Sequence, residues 1–171
     1  MLTIRPEGLD DHHAVFEVHH RAFGRVNEAR LVEDLRRSPA FISELSLVAL
    51  DGPRAVGHIL MTRMVVRTAN ASCPALALAP VAVLPELQGR GIGSALVRQG
   101  LQGARDLGHR VVIVVGHPGY YPRFGFLPAE RFGIRPPFVV SPGAFMVLEL
   151  QADALRGVQG EVEYPPEFAR V

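Results

Sequence analysis

Three glycines at alternate positions, in Gln88-Gly89-Arg90-Gly91-Ile92-Gly93-Ser94, are the clearest chemical handle in this sequence. They follow a long apolar run at 75–84 and open a segment, 92–107, whose apolar residues have helical spacing. A helix start leaves its first N–H groups without intrahelical partners and gathers partial positive charge. Glycines there let an anion reach the backbone and permit dihedrals that a Cβ forbids. The pattern predicts an anion site built from main-chain amides.

Three occupants compete for such a site. A Walker-type loop needs Gly-Lys followed by Ser or Thr, and the chain has no lysine. A dinucleotide fold wants an acidic residue at the end of the next strand, where this chain has Gly116-His117-Pro118. The remaining reading is a pyrophosphate-bearing acyl carrier, coenzyme A. Other reactive residue types are sparse. Cys73 lies in the turn Asn70-Ala71-Ser72-Cys73-Pro74 without an evident base and reads as a bystander. His12 and His19, like His13 and His20, are seven apart on a helix, roughly 10 Å along its axis, so one ion cannot bridge them. His58, His109 and His117 are scattered, and no metal site is expected.

The elements that must position the turn can be read from periodicity. Residues 3–5 form a short edge strand ended by Pro6, and residues 9–23 a helix capped by Asp10 or Asp11 and closed by Gly24. A second helix spans about 28–37. Runs 45–50 and 55–66 flank Asp51-Gly52-Pro53 as an antiparallel hairpin. Strand 75–84, helix 92–107 and the wholly apolar strand 111–115 make a βαβ unit, so the two strands should be parallel. Pro80 marks an edge or a bulge in its strand. Gly100 and Gly103, inside the helix, read as close packing against a sheet. Residues 120–126 form a helical turn entering a strand, 144–150 a late strand, and 151–171 a polar extension. The chain is expected to be one α+β domain, 1–171, with its core at about 3–150.

Composition narrows the partners. The 18 basic and 17 acidic residues leave a net charge of +1 without a basic run, which argues against nucleic acid. All the basic residues are arginine, so the protein carries no lysine side chain to be acetylated. One cysteine, no apolar signal core and no membrane-length apolar run suggest a soluble cytoplasmic protein.

With the apolar strand before it and the amphipathic helix after it, Gln88-Gly89-Arg90-Gly91-Ile92-Gly93 resembles the pyrophosphate motif of the GCN5-related N-acetyltransferases (GNAT). Pro80-Val81-Ala82-Val83 and Tyr120-Tyr121-Pro122-Arg123-Phe124-Gly125-Phe126 resemble a bacterial subgroup of that family. The resemblance covers about residues 4–150. It implies a mixed, mostly antiparallel twisted sheet with a central parallel splayed strand pair and flanking helices. It also implies acetyl-CoA as acetyl donor, no metal, and direct attack of a primary amine in a ternary complex. The amine would belong to a small molecule or to a peptide or protein terminus, with no membrane involved, and a homodimer is compatible with it.

By the same resemblance, the main chain of Val81, Ala82 and Val83 holds pantetheine. Gln88, Gly89, Arg90, Gly91, Gly93 and Ser94 take the pyrophosphate, and the N–H of Val83 or of its neighbour in the strand faces the developing oxyanion. Tyr121 contacts the cofactor and protonates the departing thiolate, while Phe124 and Phe126 are core. An alkylamine of pKa about 10.4 is about one part in a thousand neutral near pH 7.4, a handicap of roughly 4 kcal/mol that calls for a base. The strand stretch Leu76-Ala77-Leu78-Ala79 offers no carboxylate; Glu28 is the first candidate, with Glu149 or a water relay as others. A catalytically silent CoA-binding sensor or interaction module of the same fold is the alternative, and the missing strand carboxylate is what favours it.

Overall fold

The computed structural model describes residues 1–171. The chain gathers into two compact units: Met1–Thr62 with Ala79–Gly103 and Pro166–Val171, and Arg63–Leu78 with Ala104–Pro165.

In the first unit, β1 (Leu2–Pro6) pairs antiparallel with β2 (Ser46–Asp51), from Leu2↔Asp51 to Pro6↔Leu47. The hairpin read at Asp51-Gly52-Pro53 is present. There β2 pairs with β3 (Arg54–Arg67), from Asp51↔Arg54 to Ser46↔Leu60, and Gly52 takes the positive φ of 59° that the turn needs. The register shifts between Ala49↔Gly57 and Leu50↔Ala55, which leaves Val56 as the extra residue of a bulge. The Val56 carbonyl accepts the Leu84 N–H at 2.9 Å, just beyond the end of β4 (Ser72–Val83). Cys73 is thus the second residue of a strand, not part of a turn.

Side chains alternate across a strand, so β3 serves two layers. On one face, Gly57, Ile59 and Met61 meet α3 (Ile92–Asp106). A Cβ at Gly100 would lie 2.9 Å from Met61 Cε, and one at Gly103 would lie 3.4 Å from Leu45 Cδ2. Each glycine costs a helix about 1 kcal/mol relative to alanine; at Gly100 the close approach to Met61 of β3 is what that cost permits, whereas Gly103 meets only Leu45, in the 3-10 turn before β2. On the other face, Val48 and Leu60 pack with Val15 of α1 (His12–Phe23) and with Leu31, Val32 and Leu35 of α2 (Asn27–Arg36).

The start of α1 differs from the expectation. Asp11 makes no forward cap; a 3-10 turn, Leu9–Asp11, precedes the helix, and the Asp11 carboxylate accepts the Gly8 N–H at 2.7 Å and the Arg5 guanidinium at 2.7 and 3.2 Å. The C-terminal stop is as read, with Gly24 left-handed at φ 68°.

In the second unit, β4 and β5 (Val111–Val115) run parallel through Leu76↔Val112 and Ala77↔Ile113, as the βαβ reading required. Antiparallel β8 (Phe145–Glu149) flanks β5, and β6 (Leu127–Pro128) flanks β8. The class is therefore α+β, with a mixed, mostly antiparallel sheet and flanking helices.

The tail is more structured than a polar extension. Within it, β9 (Gly160–Glu163) pairs antiparallel with Val65–Arg67 of β3 and parallel with β7 (Ile134–Arg135). A Cβ at Gly160 would lie 2.7 Å from the Arg67 carbonyl carbon, so only glycine allows that approach. In the first unit, the final turn, Pro166–Arg170, returns to α2, where Arg170 Nη1 donates to Asp34 at 3.1 Å. No helix is long and apolar enough to cross a membrane.

Candidate functional site

The glycine turn has the geometry its residues imply. Gly89 and Gly91 are left-handed at φ 76° and 85°, and a Cβ at either would meet nothing within 4 Å, so their backbone faces open space. The helical ladder opens with the Ala95 N–H on the Gly91 carbonyl at 3.0 Å; the amides of Ile92 and Gly93 precede it. Arg90 is exposed between the two glycines, and Ser94 is half-buried one turn in. Donors at a helix start, a positive dipole, an adjacent cation and no side chain in the way make the turn able to receive an anion. Gln88 plays a part the motif did not disclose. Its Nε2 donates to the Val83 carbonyl at 3.0 Å and ties the turn to the strand before it. Upstream, Glu86 accepts from Arg21 of α1 at 2.8 Å and from Arg54 of the hairpin at 2.7 Å.

Along a strand, successive N–H groups point to opposite sides. Since the Leu84 N–H points at β3, the N–H and carbonyl of Val83 point away from it. Val81 and Val83 are half-buried and Ala82 is buried. The Ala79–Pro80 peptide bond is cis.

In the second unit, Tyr121 opens the 3-10 turn Tyr121–Phe124 and lies on Gly116, just past β5. A Cβ at Gly116 would be 2.7 Å from Tyr121 Cδ2 and closer still to Cε2, so the glycine makes room for the ring. Phe126, 1% exposed, packs against that ring edge-on at 5.8 Å. Burial, with a lesser push from Tyr120, raises the Tyr121 phenol to about 12, so it carries its proton at neutral pH. Tyr120 is separately engaged, with the Arg123 guanidinium 4.3 Å from its ring centre. Phe124 and Phe126 are core, as read.

The carboxylates are less free than their positions in sequence suggested. Glu28, 5% exposed in the first turn of α2, is chelated by Arg25, whose Nε donates to Oε1 at 2.9 Å and whose Nη2 donates to Oε2. Glu149 accepts the Leu155 N–H at 2.9 Å.

Sequence reading missed a buried polar chain in the first unit. His19 and His58 are each 0% exposed, and His19 Nε2 is 2.8 Å from His58 Nδ1. His58 Nε2 is 2.9 Å from Ser46 Oγ, which donates to Glu7 Oε1 at 2.6 Å. Arg36 grips Glu7 through two bonds of 2.9 and 2.8 Å. Burial is the main force holding both imidazoles neutral; it brings His58 down to about 3 and His19 well below its ordinary value. The only signal in the sequence was that His19 shares a helix face with Phe23, on which its ring stacks at 6.1 Å. No group of three or more His, Cys, Asp or Glu side chains is gathered to hold a metal ion.

Comparison with known proteins places these features in context. Residues 3–129 match the model of an acetyltransferase (GNAT) domain. The Escherichia coli K12 protein YjhQ, named an uncharacterized N-acetyltransferase, is 46% identical over 112 residues; the match spans 66% of this chain and 62% of that protein. YhbS, an uncharacterized N-acetyltransferase of the same organism, is 35% identical over 151 residues, 88% of each. The crystal structure of Escherichia coli YhbS in complex with CoA superposes with a TM-score of 0.88 at 32% identity, over 99% of this chain and 92% of that one. A Brucella melitensis GNAT family acetyltransferase in complex with acetyl-CoA gives 0.80 at 31% identity, over 98% of each.

Proposed function

This chain belongs to the acetyltransferase (GNAT) family, and on that premise we propose that it moves an acetyl group from acetyl-CoA to a primary amine by direct attack in a ternary complex. One observation carries the reading: a helix start with two left-handed glycines over open space, in a chain that superposes closely on relatives solved with CoA and acetyl-CoA. The amides around Gly89–Gly93 and the Arg90 side chain would hold the pyrophosphate, with Ser94 beside them. Val81–Val83 would hold pantetheine through the main chain, and Gln88 shapes the turn from behind.

Acetyl-CoA supplies an activated thioester; the chain supplies charge, proton and position. A Val83 N–H directed away from β3 would donate to the carbonyl oxygen as negative charge grows there, the kind of preorganised donor that lowers an acyl-transfer barrier. Tyr121 would donate the proton that the leaving sulfur needs. Burial keeps the phenol in its protonated form, able to donate toward the sulfur, and the retained tyrosine is what favours a working enzyme over a silent CoA-binding module. Glu28 would have to leave Arg25 before it could take a proton. The acceptor is proposed as a primary amine on a small molecule or a peptide terminus.

The test mixes the protein with acetyl-CoA and a panel of alkylamines, polyamines and free-N-terminus peptides, and follows thiol release. Turnover with at least one amine is expected. Tyr121→Phe should lower kcat by about tenfold or more while leaving the calorimetric affinity for acetyl-CoA within twofold. Binding of acetyl-CoA without turnover across the panel would leave only the silent module.

A further inference from the structure

The buried chain in the first unit has a direction. Glu7, gripped by Arg36, is a carboxylate that only accepts, so the Ser46 hydroxyl donates to it. Ser46 Oγ must then accept from His58 Nε2–H. A neutral His58 with its proton on Nε2 presents a lone pair at Nδ1, to which His19 Nε2–H donates. His19 Nδ1 is left as a bare lone pair, buried and without a partner. Thr62 Oγ1, four residues beyond His58 on the same face of β3, is the other buried side-chain atom lacking one. Unsatisfied polar atoms this deep cost stability unless a further donor fills the space. The chain also runs beside the proposed acyl-binding strand: Val56 carries the Leu84 hydrogen bond, and Gly57 lies against the Ala82 carbonyl, 3.2 Å from where its Cβ would be. His58 is the next residue on β3.

We propose that His19, His58, Ser46 and Glu7 form a one-way proton path, whose open end at His19 Nδ1 takes, through a water molecule seated there, the proton that the amine loses on acetylation. This rests on the acetyl-transfer reading above. The balance is complete. The neutral amine's nitrogen bonds to the acetyl carbon, the carbon–sulfur bond breaks, and the sulfur takes the Tyr121 proton; the phenolate regains a proton from solvent as Glu7 releases its own. The amine proton passes through water to His19 Nδ1; His19 Nε2–H moves to His58 Nδ1, His58 Nε2–H to Ser46, and Ser46 O–H to Glu7. Glu7 ends as a carboxylic acid and no imidazolium remains. Arg36 of α2 and His12 of α1 oppose a cation at His58, with Asp11 favouring one; at His19, His58 and Arg36 oppose a cation and Glu7 favours one. A path that never leaves a charge on either ring fits that field.

Two measurements test it. Long-range 15N–1H correlation on the protein alone, between pH 6 and 8, should show both histidines protonated at Nε2 and bare at Nδ1; a proton on His19 Nδ1 overturns the path. The second compares kcat–pH profiles with acetyl-CoA and the best amine of the panel. His58→Gln keeps a donor toward Ser46 but cannot pass a proton. Its kcat at pH 7 should fall by about tenfold or more, with KM for acetyl-CoA unchanged and the deficit closing toward pH 9 as hydroxide takes the amine's proton instead. If circular dichroism shows that variant unfolded, Ser46→Ala cuts the same path. A variant profile superimposable on the parent's overturns the path alone, whereas a parent protein that turns over no amine overturns the acetyl-transfer reading beneath it.

Discussion

Gly116→Ala isolates the contribution of the Tyr121 ring position without touching the phenol. An alanine Cβ would sit 2.7 Å from Tyr121 Cδ2 and nearer to Cε2. Carbon atoms rest at about 3.5–4.0 Å, so the ring must retreat by more than about 1 Å. Gly116 is not left-handed, and the alanine backbone itself is tolerated. Overpacking should cost about 1–3 kcal/mol of stability, visible as a lower Tm with the fold retained. Misplacing a catalytic group by about 1 Å can cost about 10²-fold in rate. We expect kcat for thiol release to fall between tenfold and a hundredfold, with acetyl-CoA affinity by calorimetry nearly unchanged. The double variant Gly116→Ala/Tyr121→Phe should be no slower than Tyr121→Phe, because one loss contains the other. Full activity of Gly116→Ala beside an impaired Tyr121→Phe, or losses that add, would refute the idea that Gly116 acts by placing the ring.

Three further outcomes follow from named features. His58 binds a proton near 6.5 when unfolded but only at about 3 when folded, so stability is intact above pH 6.5 and falls as pH drops toward 3. The slope from this residue is at most about 1.4 kcal/mol per pH unit, or about 2 kcal/mol lost by pH 5; urea titrations of the parent and His58→Gln should differ by that slope. Gly91→Ala forces a side chain onto φ 85°, a strain of about 1–2 kcal/mol. Calorimetry should show acetyl-CoA binding weakened about fivefold or more, and an unchanged affinity would remove the turn from the binding site. Glu7→Gln leaves Arg36, only 10% exposed, without its anion, and should lower stability by about 3–5 kcal/mol in urea; a loss under 1 kcal/mol would mean that the guanidinium escapes to water.

The sequence was most legible where one local rule decides the outcome. Asp51-Gly52-Pro53 fixes its hairpin, and the glycine turn between an apolar strand and an amphipathic helix fixes the parallel β4–β5 pair. Gly100 disclosed helix-to-sheet packing because a glycine inside a helix needs a reason, while Gly103 meets only Leu45, just before β2. The misses depended on partners far away in the chain. Gly160-Glu161-Val162-Glu163 carries only one alternating apolar side chain, too short a signal for a strand, and its pairing with Val65–Arg67 is what stabilises it. His19 and His58 are 39 residues apart, and neither announces burial; histidine is ambiguous until Ser46 and Glu7 are brought to it. Glu28 sits where a helix dipole favours a carboxylate, and only the fold shows Arg25 chelating it.

The Glu86 bridge gives buffer composition a grip on the catalyst. Arg21 and Arg54 each hold one oxygen of the same carboxylate, two residues before Gln88, and all three side chains are open to water. Exposed ion pairs weaken as ionic strength rises. Added electrolyte would therefore slacken these guy-ropes as well as shield the ligand's own negative charge. Inert salt becomes a conformational variable for the loop that leads into the glycine turn.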